Sequence, residues 1–265
     1  MKAFDLSLIN LTKYLFFTGK GGVGKTSIAA AIALRLSAKG KTVHLTTTDP
    51  AAHLKFVADK NDNTTMSHID EKTELQRYQN EVLAKAREFM SEDDLAYVEE
   101  DLRSPCTQEI AVFRAFAEVV EKAENEIVVI DTAPTGHTLL LLDATQSYHK
   151  EVKRTQGDIP ESVKKLLPRL RNADETAVVI VTLAEATPVY EALRLEEDLQ
   201  RAGIAVKWWV INSSFYKTGT TNSLLNAKSG NEVTWINMVD EHTGGRFAII
   251  AWSGEDVKGD KLLKL

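Results

Sequence analysis

Three groups of residues have the types and spacing to do chemistry together: a lysine–threonine pair closing a glycine-rich loop, and two aspartates that each end an apolar run. The loop is GKGGVGKT, Gly19 to Thr26, and it fits the spacing G-x-x-x-x-G-K-[ST]. Gly19, Gly21, Gly22 and Gly24 let backbone N–H groups close around phosphate oxygens, with Lys20 and Val23 carried between them. A helix starting behind the loop, with Ser27 in its first turn, would aim its positive end at the same anion. Lys25 is then placed to neutralise β- and γ-phosphates, and the Thr26 hydroxyl to ligate Mg²⁺. The pattern predicts a bound nucleotide.

The first aspartate, Asp49 in TTTDPAAH, follows a short β-branched run and precedes Pro50. A carboxylate at that edge of a parallel sheet can hold the attacking water, or a metal-bound water, beside a γ-phosphate. It is equally suited to capping a helix that starts at the proline. The second, Asp131 in IVVIDTAPTGHT, stands where a Mg²⁺-holding carboxylate belongs. The loop behind it carries Pro134, Gly136 and His137 and can change shape when the γ-phosphate leaves.

Elements that would position these groups are legible as alternating patterns. Strands are predicted over Tyr14–Thr18, Thr42–Thr47, Ile127–Asp131, Ala177–Thr182, Val206–Ile211 and Phe247–Ala251, with helices over Thr26–Ala38, Glu71–Met90 and Thr187–Arg201. Apolar strands separated by helices imply an α/β fold with a mostly parallel sheet flanked by helices. Residues 1–265 read as a single domain with a helical insertion over approximately 65–124 that stands off the sheet. Residues 149–174 and 214–232 are polar and punctuated, and are expected to be loops. The segment EDDLAYVEED, six acids in ten residues, reads as a solvated helix face.

Composition narrows the function classes. A net charge of −6 argues against a nucleic-acid-coating surface. No apolar run approaches the ~20 residues of a membrane-spanning helix. A single cysteine cannot form an internal disulfide, which favours a reducing, cytoplasmic setting. His44 reads as a structural histidine, and the four tryptophans as core or rim.

The loop K-G-G-x-G-K-T resembles the "deviant" P-loop NTPase class of dimeric ATPases, which includes ArsA, the tail-anchored-protein targeting ATPase, MinD, ParA and the nitrogenase iron protein. The likeness sharpens at DTAPTGHT, TTTDPAAHL, DLRSPCTQEIAVFRAF and LLLLDATQSYHKE. Together these look most like the C-terminal nucleotide-binding half of ArsA-type arsenite- and antimonite-transporting ATPases. The resemblance implies ATP and Mg²⁺ as ligands, and a homodimer or a second ArsA-like half in which Lys20 reaches the facing nucleotide. It also implies an integral membrane arsenite pump subunit, to which the chain would be peripheral at the inner face. Asn212, after KWWVI, matches an adenine-recognising position. Four methionines and one cysteine weigh against the alternative, a targeting factor with a methionine-rich groove and a C-x-x-C pair. A regulatory half with little turnover is a second alternative.

The lone cysteine, in RSPCT, falls in the first turn of a helix that Ser104 can cap and Pro105 can open. A thiol there is more acidic than usual, and thiolate binds soft metalloids. On residues alone it reads as well as a small buried apolar group. The resemblance assigns Cys106 and His137 to the As(III)/Sb(III) site, with Ser104 as a weak contributor and further ligands from a partner.

Overall fold

Strands buried on both faces show as unbroken apolar runs, and the chain builds a sheet from them. The computed structural model describes residues 2–3, 12–49, 63–122, 126–132, 161–216, 218–255 and 261–262. Among the described residues eight strands, β1 (Lys2–Ala3), β2 (Tyr14–Thr18), β3 (Val43–Thr47), β4 (Thr64–His68), β5 (Ile127–Asp131), β6 (Thr176–Thr182), β7 (Val206–Ser214) and β8 (Phe247–Ala251), form one sheet in the order β1-β8-β7-β6-β2-β5-β3-β4. Every pairing is parallel. The helices among the described residues are α1 (Lys25–Ala38), α2 (Glu71–Ala86), α3 (Glu92–Asp101), α4 (Pro105–Lys122), α5 (Glu161–Arg171), α6 (Ala186–Arg201) and α7 (Ser223–Thr243).

The period of two along β2 divides the core. Leu15 and Phe17 pack with Ile28, Ile32 and Leu36 of α1 on one face. Tyr14 and Phe16 join Phe113, Phe116, Leu166, Leu195 and Ile236 of α4, α5, α6 and α7 on the other. The Phe16 and Phe116 rings lie 5.6 Å apart. Two registers matter for chemistry: β5 sets Asp131 opposite Phe17 of β2 and opposite Thr47 of β3.

Several expectations need correction. Residues 64–68 form β4, so the helical stretch begins at Glu71 and not near 65. That strand is TTMSH on the sheet edge, half-exposed, and carries no apolar run to announce it. The helical stretch does not all stand off the sheet, because α4 lies directly on it through Phe113 and Phe116. Helix α3, the acidic segment, buries no residue. Two supposed loops contain helices. Val163, Leu166 and Leu170 give α5 an apolar stripe, and Asn222 caps α7 by accepting from the Leu224 and Leu225 N–H groups.

Candidate nucleotide site

β2 ends at Thr18 on the C-terminal edge of the sheet, and the loop to α1 turns there in conformations that side chains resist. Gly19 has φ +146°, and a Cβ on it would lie 2.1 Å from the Val181 carbonyl oxygen. Gly24 has φ +95°, and its Cβ would meet the Asn212 side-chain nitrogen at 2.2 Å. Only glycine fits either place. Asn212 occupies that space to donate from Nδ2 to the Val23 carbonyl at 2.9 Å, so β7 pins the end of the loop. Helix α1 then starts at Lys25 with no acidic residue in its first turn, and Ser27 is half-buried there.

Lys25 is 4 % exposed, and its Nζ donates to the Lys20 carbonyl at 3.0 Å. Burial holds its pKa below the usual lysine value, while the charges of Asp131 and Asp49 pull it back up. Asp131 is fully buried. Its Oδ2 accepts from Thr26 Oγ1 at 2.7 Å and from Thr47 Oγ1 at 3.0 Å. Oδ1 is buried with no hydrogen-bond partner among the described residues. Desolvation pushes the carboxyl up to about 6, against the opposing pull of those hydroxyls and of Lys25. The Asp49 N–H donates to Thr47 Oγ1 at 3.1 Å, completing a chain from Asp49 to Asp131.

This donor set fits a hard divalent cation. The Thr26 hydroxyl bonds Asp131 Oδ2 behind the glycine-rich loop, the other oxygen of that carboxylate has no partner among the described residues, and Mg²⁺ takes oxygen ligands with one or two carboxylates. Thr26 and Asp131, with Asp49 nearby through Thr47, are the residues that would hold it.

The outer rim is built differently. Lys20 Nζ pairs with Glu191 Oε1 of α6 at 2.5 Å, each side chain 36 % exposed. Beside the pair an open cavity of about 580 Å³ runs between the loop, the start of α6 and the middle of α7, with Trp235 and Lys228 on its wall. Glu232 lines it too, and its Oε2 accepts from Ser214 Oγ, Phe215 N–H and Tyr216 N–H, clamping the exit of β7 behind Asn212.

A family model described as "Anion-transporting ATPase" matches residues 12–167 and 155–264. The chain belongs to this family. It is 44 % identical over 253 residues to an arsenical pump-driving ATPase of Escherichia coli, covering 95 % of this chain and 43 % of that protein. A putative arsenical pump-driving ATPase of Halobacterium salinarum is 32 % identical, covering 90 % of this chain and 41 % of the relative. A shorter one from Aquifex aeolicus is 32 % identical, with 76 % of this chain and 79 % of the relative covered. The chain thus spans less than half the length of the first two relatives. The ArsA-type resemblance drawn from the motifs agrees with this membership.

Of the residues singled out in the sequence, Lys25, Thr26 and Asp131 come together, and Asp49 joins them through Thr47. Lys20 touches this cluster through the carbonyl that accepts from Lys25, and Asn212 borders it through the Val23 carbonyl. Ser104 sits just ahead of α4, its hydroxyl 3.0 Å from that of Thr107, and Cys106 falls in the first turn as its sequence suggests. The Cys106 side chain and the whole of His137 lie outside the described residues. Among the described residues no group of three or more His, Cys, Asp and Glu gathers to hold a metal. His44 is structural, bonded through both ring nitrogens to Thr65 and Ser67. Sequence reasoning missed Thr47, Glu191 and Glu232. Only the strand register could have singled out Thr47 among three successive threonines.

Proposed function

We propose that this chain hydrolyses ATP as the ATPase component, or one half of it, of a system that extrudes arsenite or antimonite. The observation that carries the reading is Asp131 beside the glycine-rich loop, held on one oxygen by two hydroxyls while the other is buried with no partner among the described residues. The names of the relatives support the metalloid. Lys25 leaves the Lys20 carbonyl for the β- and γ-phosphates, and Asn212 reads the base while bracing the loop. Asp49 positions the water that attacks the γ-phosphorus, and the ADP oxygen leaves in line. Mg²⁺, when bound at Thr26 and Asp131, neutralises charge on the phosphate oxygens.

Lys20 completes the charge stabilisation from across an interface, released from Glu191 toward the nucleotide of a second copy or a second half. Cys106 and His137, with Ser104 beside them, form part of a metalloid site that the partner completes. The transported anion passes through a separate membrane subunit. No helix among the described residues is long and apolar enough to cross a membrane itself. The test is steady-state ATP hydrolysis with and without antimonite, in the unsubstituted chain and in Cys106→Ser. Stimulation that disappears in Cys106→Ser is expected. Hydrolysis that antimonite changes in neither protein would overturn the metalloid-driven reading.

A further inference from the structure

We propose that Thr47 is a positioning residue that selects which oxygen of Asp131 faces the metal and ties that choice to Asp49. The inference rests on the reading of Asp131 as a Mg²⁺ ligand. A threonine hydroxyl has one proton to donate and lone pairs to accept with. At Thr47 both capacities are used, and in a fixed sense. The backbone N–H of Asp49 can only donate, so it donates to Oγ1, and the Oγ1 proton therefore goes to Asp131 Oδ2. Thr47 is wholly buried, so no water substitutes for either bond.

The consequence at Asp131 is asymmetric. Thr26 and Thr47 both donate to Oδ2, one from α1 and one from β3, and they fix the carboxylate plane from two sides. Oδ1 is left buried and, among the described residues, unpartnered. Thr26 can give an oxygen lone pair to a cation while its proton stays on Oδ2. Thr47 has no such second duty, and its whole effect is on orientation. Outer partners that orient ligating carboxylates typically carry 10–100-fold in metal affinity.

The same hydroxyl ends the rigid part of β3. Thr47 is its last residue, in register with Asp131, and the next groups along are the Thr48 N–H on the Asp131 carbonyl at 3.0 Å and then Asp49. Any shift of Asp49 as nucleotide binds or leaves pulls on the oxygen that orients Asp131. The water-positioning carboxylate and the metal-orienting carboxylate are therefore coupled through one proton donor.

The experiment uses the full chain with Thr47→Val, which keeps the shape and removes the hydroxyl, and Thr47→Ser, which keeps the hydroxyl. Mn²⁺ affinity of the ADP complex is read by electron paramagnetic resonance, and ADP affinity in EDTA by titration calorimetry. Thr47→Val should weaken Mn²⁺ at least ~10-fold, with metal-free ADP affinity within about twofold, and Thr47→Ser should recover most of the loss. Unchanged Mn²⁺ affinity in Thr47→Val overturns the proposal. So does an equal loss in Thr47→Ser, which would mean that packing and not the hydroxyl is at work. Asp131→Asn separates the two levels. If it also binds Mn²⁺ normally, the metal assignment fails with the proposal. If it loses Mn²⁺ while Thr47→Val does not, only the role of Thr47 fails. Should Thr47→Val not fold, Thr47→Ser against Thr47→Ala gives the same contrast.

Discussion

The inner wall of the cradle and its outer rim carry the same kinds of residue in opposite states. On the inner wall Lys25, Asp131 and Thr47 are buried and Thr26 is half-buried; both hydroxyls bond Asp131, Thr47 through the strand register, and Lys25 bonds the Lys20 carbonyl. On the rim a lysine and a glutamate pair half in solvent, held by a loop and a helix far apart in sequence. The difference teaches where rigidity is needed. Groups that meet developing charge act best when they need no rearrangement. Lys20, which on the proposed reading must leave one partner for another, cannot be locked in. An exposed pair worth roughly 0.2–1 kcal/mol is a hold that binding energy can break.

The largest effect should come from the inner wall. Lys25→Ala is expected to lower the rate of ATP hydrolysis by about 10²–10³-fold, the usual cost of one fixed charge-stabilising donor. Single-turnover kinetics at saturating MgATP would check it, and a loss under tenfold would break the contrast.

The second prediction sharpens the electrostatic side. Burial raises the Asp131 carboxyl from its ordinary 3.8 to about 6, so between those values the folded chain holds more protons than the unfolded one. This group's penalty on stability is absent below pH 3.8, grows as pH rises, and is complete above about 6. Asp131→Asn should therefore stabilise the metal- and nucleotide-free chain at pH 7, by at most about 3 kcal/mol, with the gain shrinking toward pH 4. Urea unfolding in EDTA across that range measures it, and a pH-independent gain would show the carboxylate to be compensated.

The smallest effect belongs to the rim. Glu191→Gln should shift the melting temperature by no more than about 3 °C, since exposed ion pairs contribute little. A larger loss in scanning calorimetry would mean that the rim is as rigid as the wall.

What the sequence disclosed follows the same division. Strands β5 and β8 are legible residue for residue because they are unbroken apolar runs, β5 stopped by Asp131 and β8 opened after Arg246. Edge strand β4 is not, since half-exposed polar residues form it. In α7, Gly230 and a scatter of polar residues hide the 3.6-residue period that buries Ile236 and Val239. Lys25, Thr26 and Asp131 stand out because phosphate chemistry demands those types at those spacings. Thr47 and Glu191 do not, because nothing local marks them. Their partners lie 84 and 171 residues away, and only the closed sheet brings them in.

The sheet order also bears on how the chain comes to exist. Strand β2, which feeds the phosphate loop, pairs with β5 on one edge and β6 on the other. Its second edge is covered only after Thr182 has been made. At typical synthesis rates of about 5–20 residues per second, that leaves the buried-to-be strand YLFFT incompletely paired for roughly 10–30 s. An apolar strand with open edges is a template for unwanted pairing. During that interval YLFFT has been made but cannot yet be buried on both sides, so the nascent protein passes through a stage in which this apolar strand is exposed to wrong partners.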